Sequence, residues 1–262
     1  MVKRISDYSA LKVAFVPRAV LATALLLCAV STAAAQAAPP VAEILRRLEA
    51  NQVFETSRME ARLEASNRFG VTTSDFTAWS RRGGDTLLEI TSGPDRGQKV
   101  LRQKTNIYLY YPDADEVIWL RGSALRDSLM GSDFSYEDLT DDRTILDRFD
   151  AELTGSEVID GAACWTIRLT AKSRSETYAR QDIWVDKEQF VTRRAILYSA
   201  AGRPLREMQS SDIRIVSGRP MAFKTVMTDL LRRNTGTTMT LLSVEINQSL
   251  NERMFSREAL SW

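Results

Sequence analysis

Acidic side chains at close spacing carry the most suggestive chemistry in this chain, with Asp133, Glu137, Asp138, Asp141 and Asp142 falling in one short run. Paired carboxylates of this kind can serve as general acid and base, or supply oxygen ligands to calcium. The same positions also suit helix starts, where the helix dipole attracts acids. Asp113-Ala114-Asp115 opens like a calcium-binding loop, but Ile118 stands where that loop requires glycine, which removes the motif. Asp95-Arg96-Gly97 lacks the repeated glycine spacing of a phosphate cradle and reads as a turn. The chain contains no histidine, so Ser-His-Asp and Cys-His nucleophilic sites are excluded, as are the usual histidine-containing zinc sites. Cys164 has no basic cluster beside it in sequence and reads as a structural thiol. The expectation is a protein with no catalytic residues, no metal and no cofactor.

The acids sit in a stretch with strong local signals. Ser123 is placed to cap a short helix carrying Leu125 and Leu129, and Gly131 stands where a left-handed glycine ends a helix. Ser135 is placed to cap a second helix, with Asp138 three positions on as a shortened capping box and Phe134 and Leu139 as a hydrophobic staple. Helix, Gly131-Ser132 hinge and helix would cover residues 123–142 as a gate, or serve only as a surface connection between blocks of strands.

Ahead of this, Lys3, Arg4, Lys12 and Arg18 precede an apolar run from Ala19 to Val30, and Ala35-Gln36-Ala37 is a small-x-small cleavage site. This predicts a signal peptide over 1–37, a single domain over 38–262 and release as a soluble protein; an uncleaved N-terminal anchor is the alternative. Leu27 before Cys28 argues against lipid modification. The predicted leader carries four basic residues and one acidic, leaving 31 Lys and Arg against 33 Asp and Glu, a net charge of −2. Such scattered, balanced charge argues against a nucleic-acid groove. Once Cys28 is removed, Cys164 has no intrachain partner.

Val41, Ile44, Leu45 and Leu48 recur at helical spacing and predict an amphipathic helix over 41–52. The remainder reads as strands. Met59, Ala61, Leu63 and Ala65 alternate with charged residues, and Gly83-Gly84, Thr105-Asn106, Asp160-Gly161 and Ser217-Gly218 mark tight turns between alternating runs. About a dozen short strands at meander spacing predict a mainly β (α+β) fold, either one large curved antiparallel sheet or an open barrel. Ile107 to Tyr111 and Val117 to Leu120 are apolar on both faces, so something covers the second face. Helices 41–52 and 124–141 are too few to do so, which leaves room for an apolar ligand, although a packed core would look the same.

Tyr110-Tyr111-Pro112, the block Met130-Gly131-Ser132-Asp133-Phe134-Ser135-Tyr136-Glu137-Asp138-Leu139, and Trp184-Val185-Asp186 followed by Arg193 and Arg194 together resemble the LolA-like outer-membrane lipoprotein-sorting proteins. The resemblance implies an incomplete antiparallel β-barrel with a few helices covering its open side. It also implies a periplasmic carrier of lipid or of lipoprotein acyl chains, with an inner-membrane exporter as candidate donor and transient contact with a membrane or acceptor protein. On that reading the apolar cavity draws on Trp79, Leu87, Tyr108, Tyr110, Trp119, Leu129, Met130, Phe134, Met221, Phe223 and Met227. Strand parity alone does not decide which face is inward. The gate would comprise Ser123, Gly131, Ser132, Ser135 and Leu139. Two other classes stay open: an accessory envelope protein partnering an exporter, and a hydrolase using carboxylates alone.

Overall fold

Alternation of side chains along thirteen strands builds one antiparallel sheet, seen in a computed structural model that describes residues 38–140, 144–232 and 235–261. The predicted leader, Asp141 and Asp142 lie outside these residues. The strands are β1 (Thr56–Asn67), β2 (Gly70–Arg81), β3 (Asp85–Ile90), β4 (Lys99–Gln103), β5 (Asn106–Tyr111) and β6 (Glu116–Leu120), then β7 (Phe149–Ile159), β8 (Ala162–Ala171), β9 (Arg180–Asp186), β10 (Thr192–Tyr198), β11 (Pro204–Val216), β12 (Arg219–Asp229) and β13 (Gly236–Ile246). Every strand pairs with its neighbour in sequence except β6 with β7, and β13 pairs back onto β1. The result is a curved sheet left open at one seam, the incomplete barrel that the resemblance implies. Type I′ turns close two of the hairpins, with Asp160-Gly161 at φ 47° and 81° and Ser217-Gly218 at 47° and 81°. The β4–β5 turn is Lys104-Thr105, one residue earlier than its sequence suggests, because Gln103 pairs with Asn106.

The inner face holds the main core. Ala61, Leu63 and Ala65 of β1 are buried, while Arg62 on the opposite face reaches Asp75 at 2.8 Å and Arg58 reaches Glu60 at 2.5 Å. Against this face lies α1 (Val41–Ala50), which buries Ile44, Leu45 and Leu48 as its spacing predicts. Two contacts seat its end on the β9–β10 turn: Asn51 Nδ2 donates to the carbonyls of Gln189 and Phe190 at 3.0 and 2.9 Å, and the Arg47 guanidinium lies 3.7 Å over the Phe190 ring.

The second face of β3–β6 is covered by the chain itself, through a later segment and not through the two expected helices, so this face is not left to an apolar ligand. Two 3-10 turns, Glu252–Phe255 and Arg257–Ser261, bury Phe255 and Leu260 against Leu87 and Leu101, with Trp79, Tyr108 and Tyr110 around them. Gln103 Nε2 donates to the Phe255 carbonyl at 2.7 Å and Lys99 Nζ to that of Leu260 at 3.0 Å. No apolar residue periodicity announces so short a cover.

The Trp184-Val185-Asp186 motif explains itself as a turn clamp. Asp186, at the end of β9, is buried and accepts from the backbone N–H of Glu188 and Gln189, each at 2.9 Å, and from Arg193 at 3.0 and 2.7 Å. Burial works against its ionised form, but the Gln189 amide, the Arg193 guanidinium and the Glu188 amide together outweigh it and hold the carboxyl below its ordinary 3.8. Its stabilisation is therefore complete above the unfolded value and is lost as pH falls through the lower folded value. Asp186→Asn should cost about 2 kcal/mol at pH 7, the scale of a charge-assisted hydrogen bond. Urea unfolding of both proteins checks this, and the difference between them should shrink as the wild-type carboxyl becomes protonated.

Candidate functional site

Residues 121–140 and 144–148 lie between β6 and β7 at the seam, in the stretch that the sequence singles out. In place of an expected helix from Ser123, the chain forms two 3-10 turns, Gly122–Arg126 and Leu129–Gly131, followed by α2 (Tyr136–Thr140) and α3 (Ile145–Arg148). The helix stops short because Asp127 and Ser128 take extended backbone, ψ 153° and 123°, which ends the first turn at Arg126; Met130 and Gly131 then reverse the chain in left-handed backbone, φ 51° and 64°. Ser123 is exposed and caps nothing, while Gly131 is exposed at this reversal. The capping box is present as its spacing predicts: Asp138 accepts from the Ser135 N–H at 2.9 Å, and Ser135 Oγ accepts from the Asp138 N–H at 3.2 Å. Ser132 is buried and turns its Oγ onto the Phe134 backbone. The side chain of Leu139, the other half of the staple, lies outside the described residues.

The candidate cavity residues divide between the two faces. Leu129, Met130, Phe134 and Met227 meet in the main core with Tyr136, whose hydroxyl is pushed up to about 12 by burial. Met221 and Phe223 share the face of Met227 by strand alternation, and Arg214 stacks over the Phe223 ring at 4.4 Å. Trp79, Leu87, Tyr108, Tyr110 and Trp119 lie on the opposite face, under or beside the 3-10 cover, with Trp119 45% exposed. The structure therefore does not bring all eleven residues to one cavity.

The acids fasten the crossing segment. Asp138 accepts from Arg206 Nη1 at 2.7 Å and from the Tyr178 hydroxyl at 3.2 Å, while Arg206 also donates to that hydroxyl at 3.1 Å. Burial, reinforced by the Asp138 charge, pushes the Tyr178 phenol far above its ordinary range. Glu137 accepts from the Thr177 hydroxyl. Asp133 is buried, where its N–H donates to Thr237 Oγ at 2.8 Å and its carboxylate accepts from the same hydroxyl at 3.2 Å. Each of these carboxylates thus has a partner elsewhere in the fold, and among the described residues no group of three acids or thiols could hold a metal ion. Burial also pushes the Cys164 thiol up, away from a nucleophilic thiolate.

Tyr178 and Arg206 also line an open groove of about 610 Å³ at the rim, with Arg126, Lys172, Leu205 and Leu231. Sequence reasoning missed Thr177, Tyr178, Arg206 and Thr237, since Tyr178 and Arg206 stand 40 and 68 residues from Asp138. One signal was available: Arg206 shares the apolar face of Met208 in β11, and a charge placed there demands a buried partner.

This geometry belongs to a LolA-like incomplete barrel. Solved structures share it: a DUF1329 family protein from Desulfovibrio piger (TM-score 0.78, 24% identity, 83% of this chain and 96% of that one), a putative outer membrane lipoprotein-sorting protein domain from Vibrio parahaemolyticus (0.76, 18%, 84% and 97%), and a LolA superfamily protein from Nitrosomonas europaea (0.73, 18%, 85% and 100%). No curated protein matches the chain. A family model described as "Uncharacterized protein" matches residues 83–262, well over half of the sequence, and the chain belongs to that family.

Two substitutions in the fastening should act with opposite sign. Arg206→Ala strands the Asp138 carboxylate and should destabilise the fold by about 2–3 kcal/mol, with faster amide exchange over residues 129–138. Burial raises the Asp133 carboxyl above its ordinary value, so its ionised form is a cost that grows as pH rises through the folded value. Asp133→Asn keeps an acceptor for Thr237 and should leave thermal stability at pH 7 unchanged or raised, with the gain fading in acid. Thermal melts across pH and hydrogen exchange read both.

Proposed function

We propose that the protein is a periplasmic carrier that exchanges its own crossing segment for an acyl chain of a lipid or lipoprotein, after removal of the leader at Ala37. The observation that carries this reading is how the segment is held. Among the described residues, the backbone hydrogen bonds of 122–135 stay within residues 121–138, apart from the Asp133 N–H to Thr237 Oγ. It can leave the inner face as a unit without orphaning a ladder of sheet amides.

The magnitudes suit reversible exchange. Withdrawing Leu129, Met130, Phe134 and Tyr136 from the core gives up about 6–12 kcal/mol at 1.5–3 kcal/mol for each side chain. A sixteen-carbon chain entering in their place returns about 13 kcal/mol as an upper bound, at 0.8 kcal/mol per methylene. Neither state is then overwhelmingly favoured, and the polar fastening around Asp138 sets how readily the exchange begins. The likeness to a putative lipoprotein-sorting domain supports an acyl-chain cargo. The separate partners of Asp133, Glu137 and Asp138 support transport over carboxylate catalysis.

Mass spectrometry of lipid extracted with the protein from its own envelope should find acylated species. With a fluorescent fatty-acyl probe, Asp138→Asn should take up ligand several-fold faster than wild type and bind it several-fold more tightly, because only the closed, ligand-free state loses the fastening. Phe134→Ala, which weakens the side chain that competes with the ligand for the core, should bind the probe more tightly, with circular dichroism confirming the sheet. If no acylated species is extracted and no variant takes up the probe, the carrier reading falls.

A further inference from the structure

The geometry points to one rim of the barrel as a docking face for an anionic lipid bilayer. Ten large hydrophobic residues are exposed among the described residues, and four of them gather in two neighbouring turns: Phe69 at 83%, Val71 at 66%, Leu230 at 41% and Leu231 at 46%. Neighbourhood follows from register, since Ser66 of β1 pairs with Gly236 of β13, and Ser66 Oγ donates to the Gly236 carbonyl at 3.0 Å. The β1–β2 turn bearing Phe69 therefore stands beside the β12–β13 connection bearing Leu230 and Leu231. Along the same rim follow the β10–β11 and β8–β9 turns, because the Leu230 N–H donates to the Leu205 carbonyl and the Ala179 N–H to that of Tyr198.

Cations accompany these tips. Arg68, Arg174 and Arg203 have no ion-pair partner among the described residues, and Lys172 lies 3.9 Å from Asp150. The acids of this stretch are engaged: Glu176 by Arg148 at 2.5 Å and Asp229 by Arg232 at 3.5 Å. Asp113 and Asp115 occupy the β5–β6 turn at the same end, beyond β3 and β4, and bound the basic stretch. Apolar side chains on separate protruding turns, flanked by unpaired arginines, suit a soft surface that admits side chains singly and presents phosphates between them. A protein groove would instead favour one continuous apolar patch. Lys172, Arg174 and Leu231 also line the rim groove, so the face that touches lipid is the face on which the groove opens.

Vesicle flotation without any acyl probe tests the docking separately from cargo binding. Wild type should bind phosphatidylglycerol-containing vesicles well and phosphatidylcholine vesicles poorly, with affinity falling as salt rises. Phe69→Ser and Leu231→Ser should each weaken binding about tenfold, and Arg68→Gln about fivefold. Val158→Ser, an exposed residue elsewhere in the sheet, should bind as wild type. The proposal is overturned if wild type binds neither vesicle, binds both alike regardless of salt, or binds undiminished in Phe69→Ser and Leu231→Ser. It is also overturned if Val158→Ser weakens binding as much as they do. Sedimentation as a dimer that Phe69→Ser dissolves would assign the patch to a second copy of the chain and likewise overturn it.

Discussion

A twisted sheet of this width must curl, and curling leaves an apolar concave face that water cannot be allowed to wet. Pairing of β13 with β1 closes one side of the sheet but leaves the seam between β6 and β7 unpaired. Everything else in the molecule answers that opening. Helix α1 fills part of the inner face, residues 121–140 pack at the seam, and the 3-10 turns near the end of the described chain shield the outer face of the strands leading up to it.

The two ways of holding those covers differ in kind. Helix α1 is tied to the barrel by its buried apolar stripe together with several side-chain contacts at its end. The crossing segment buries apolar residues too, but its placement depends on a few charge-assisted contacts, of which Asp138 with Arg206 and Tyr178 is the centre. Such contacts are directional and break sharply, whereas apolar contact fades gradually with area.

Much of the architecture was legible in the sequence because it depends on local pattern. The alternation of Ala61, Leu63 and Ala65, the Asp160-Gly161 turn and the Ser135/Asp138 capping box each involve residues close in the chain, and the structure contains all three. What escaped depends on distant partners. Residues 252–261 have no periodicity of their own and become a cover only because β3–β6 present Leu87 and Leu101 to them. Likewise, parity within a strand divides Leu87 from Leu88 but cannot say which of them faces α1. The expected helix after Ser123 stopped short for a local reason, extended backbone at Asp127 and Ser128, and the reversal that a glycine suggested for one residue uses two, Met130 and Gly131.

The pairing of β1 with β13 joins the first and last strands of the sheet across almost its whole sequence, as with Ser57 opposite Ile246. Loop closure over such a separation is slow, and each half of the sheet can zip its hairpins long before the halves meet. A chain delivered to its compartment N-terminus first would hold β1 as a bare edge until β13 arrived, and a bare edge is an invitation to foreign strands. The charged run along the outward face of β1, Glu60, Arg62 and Glu64, gives that waiting edge a repellent surface. The same residues are then used twice, as charges along an open edge and afterwards in pairs such as Arg62 with Asp75.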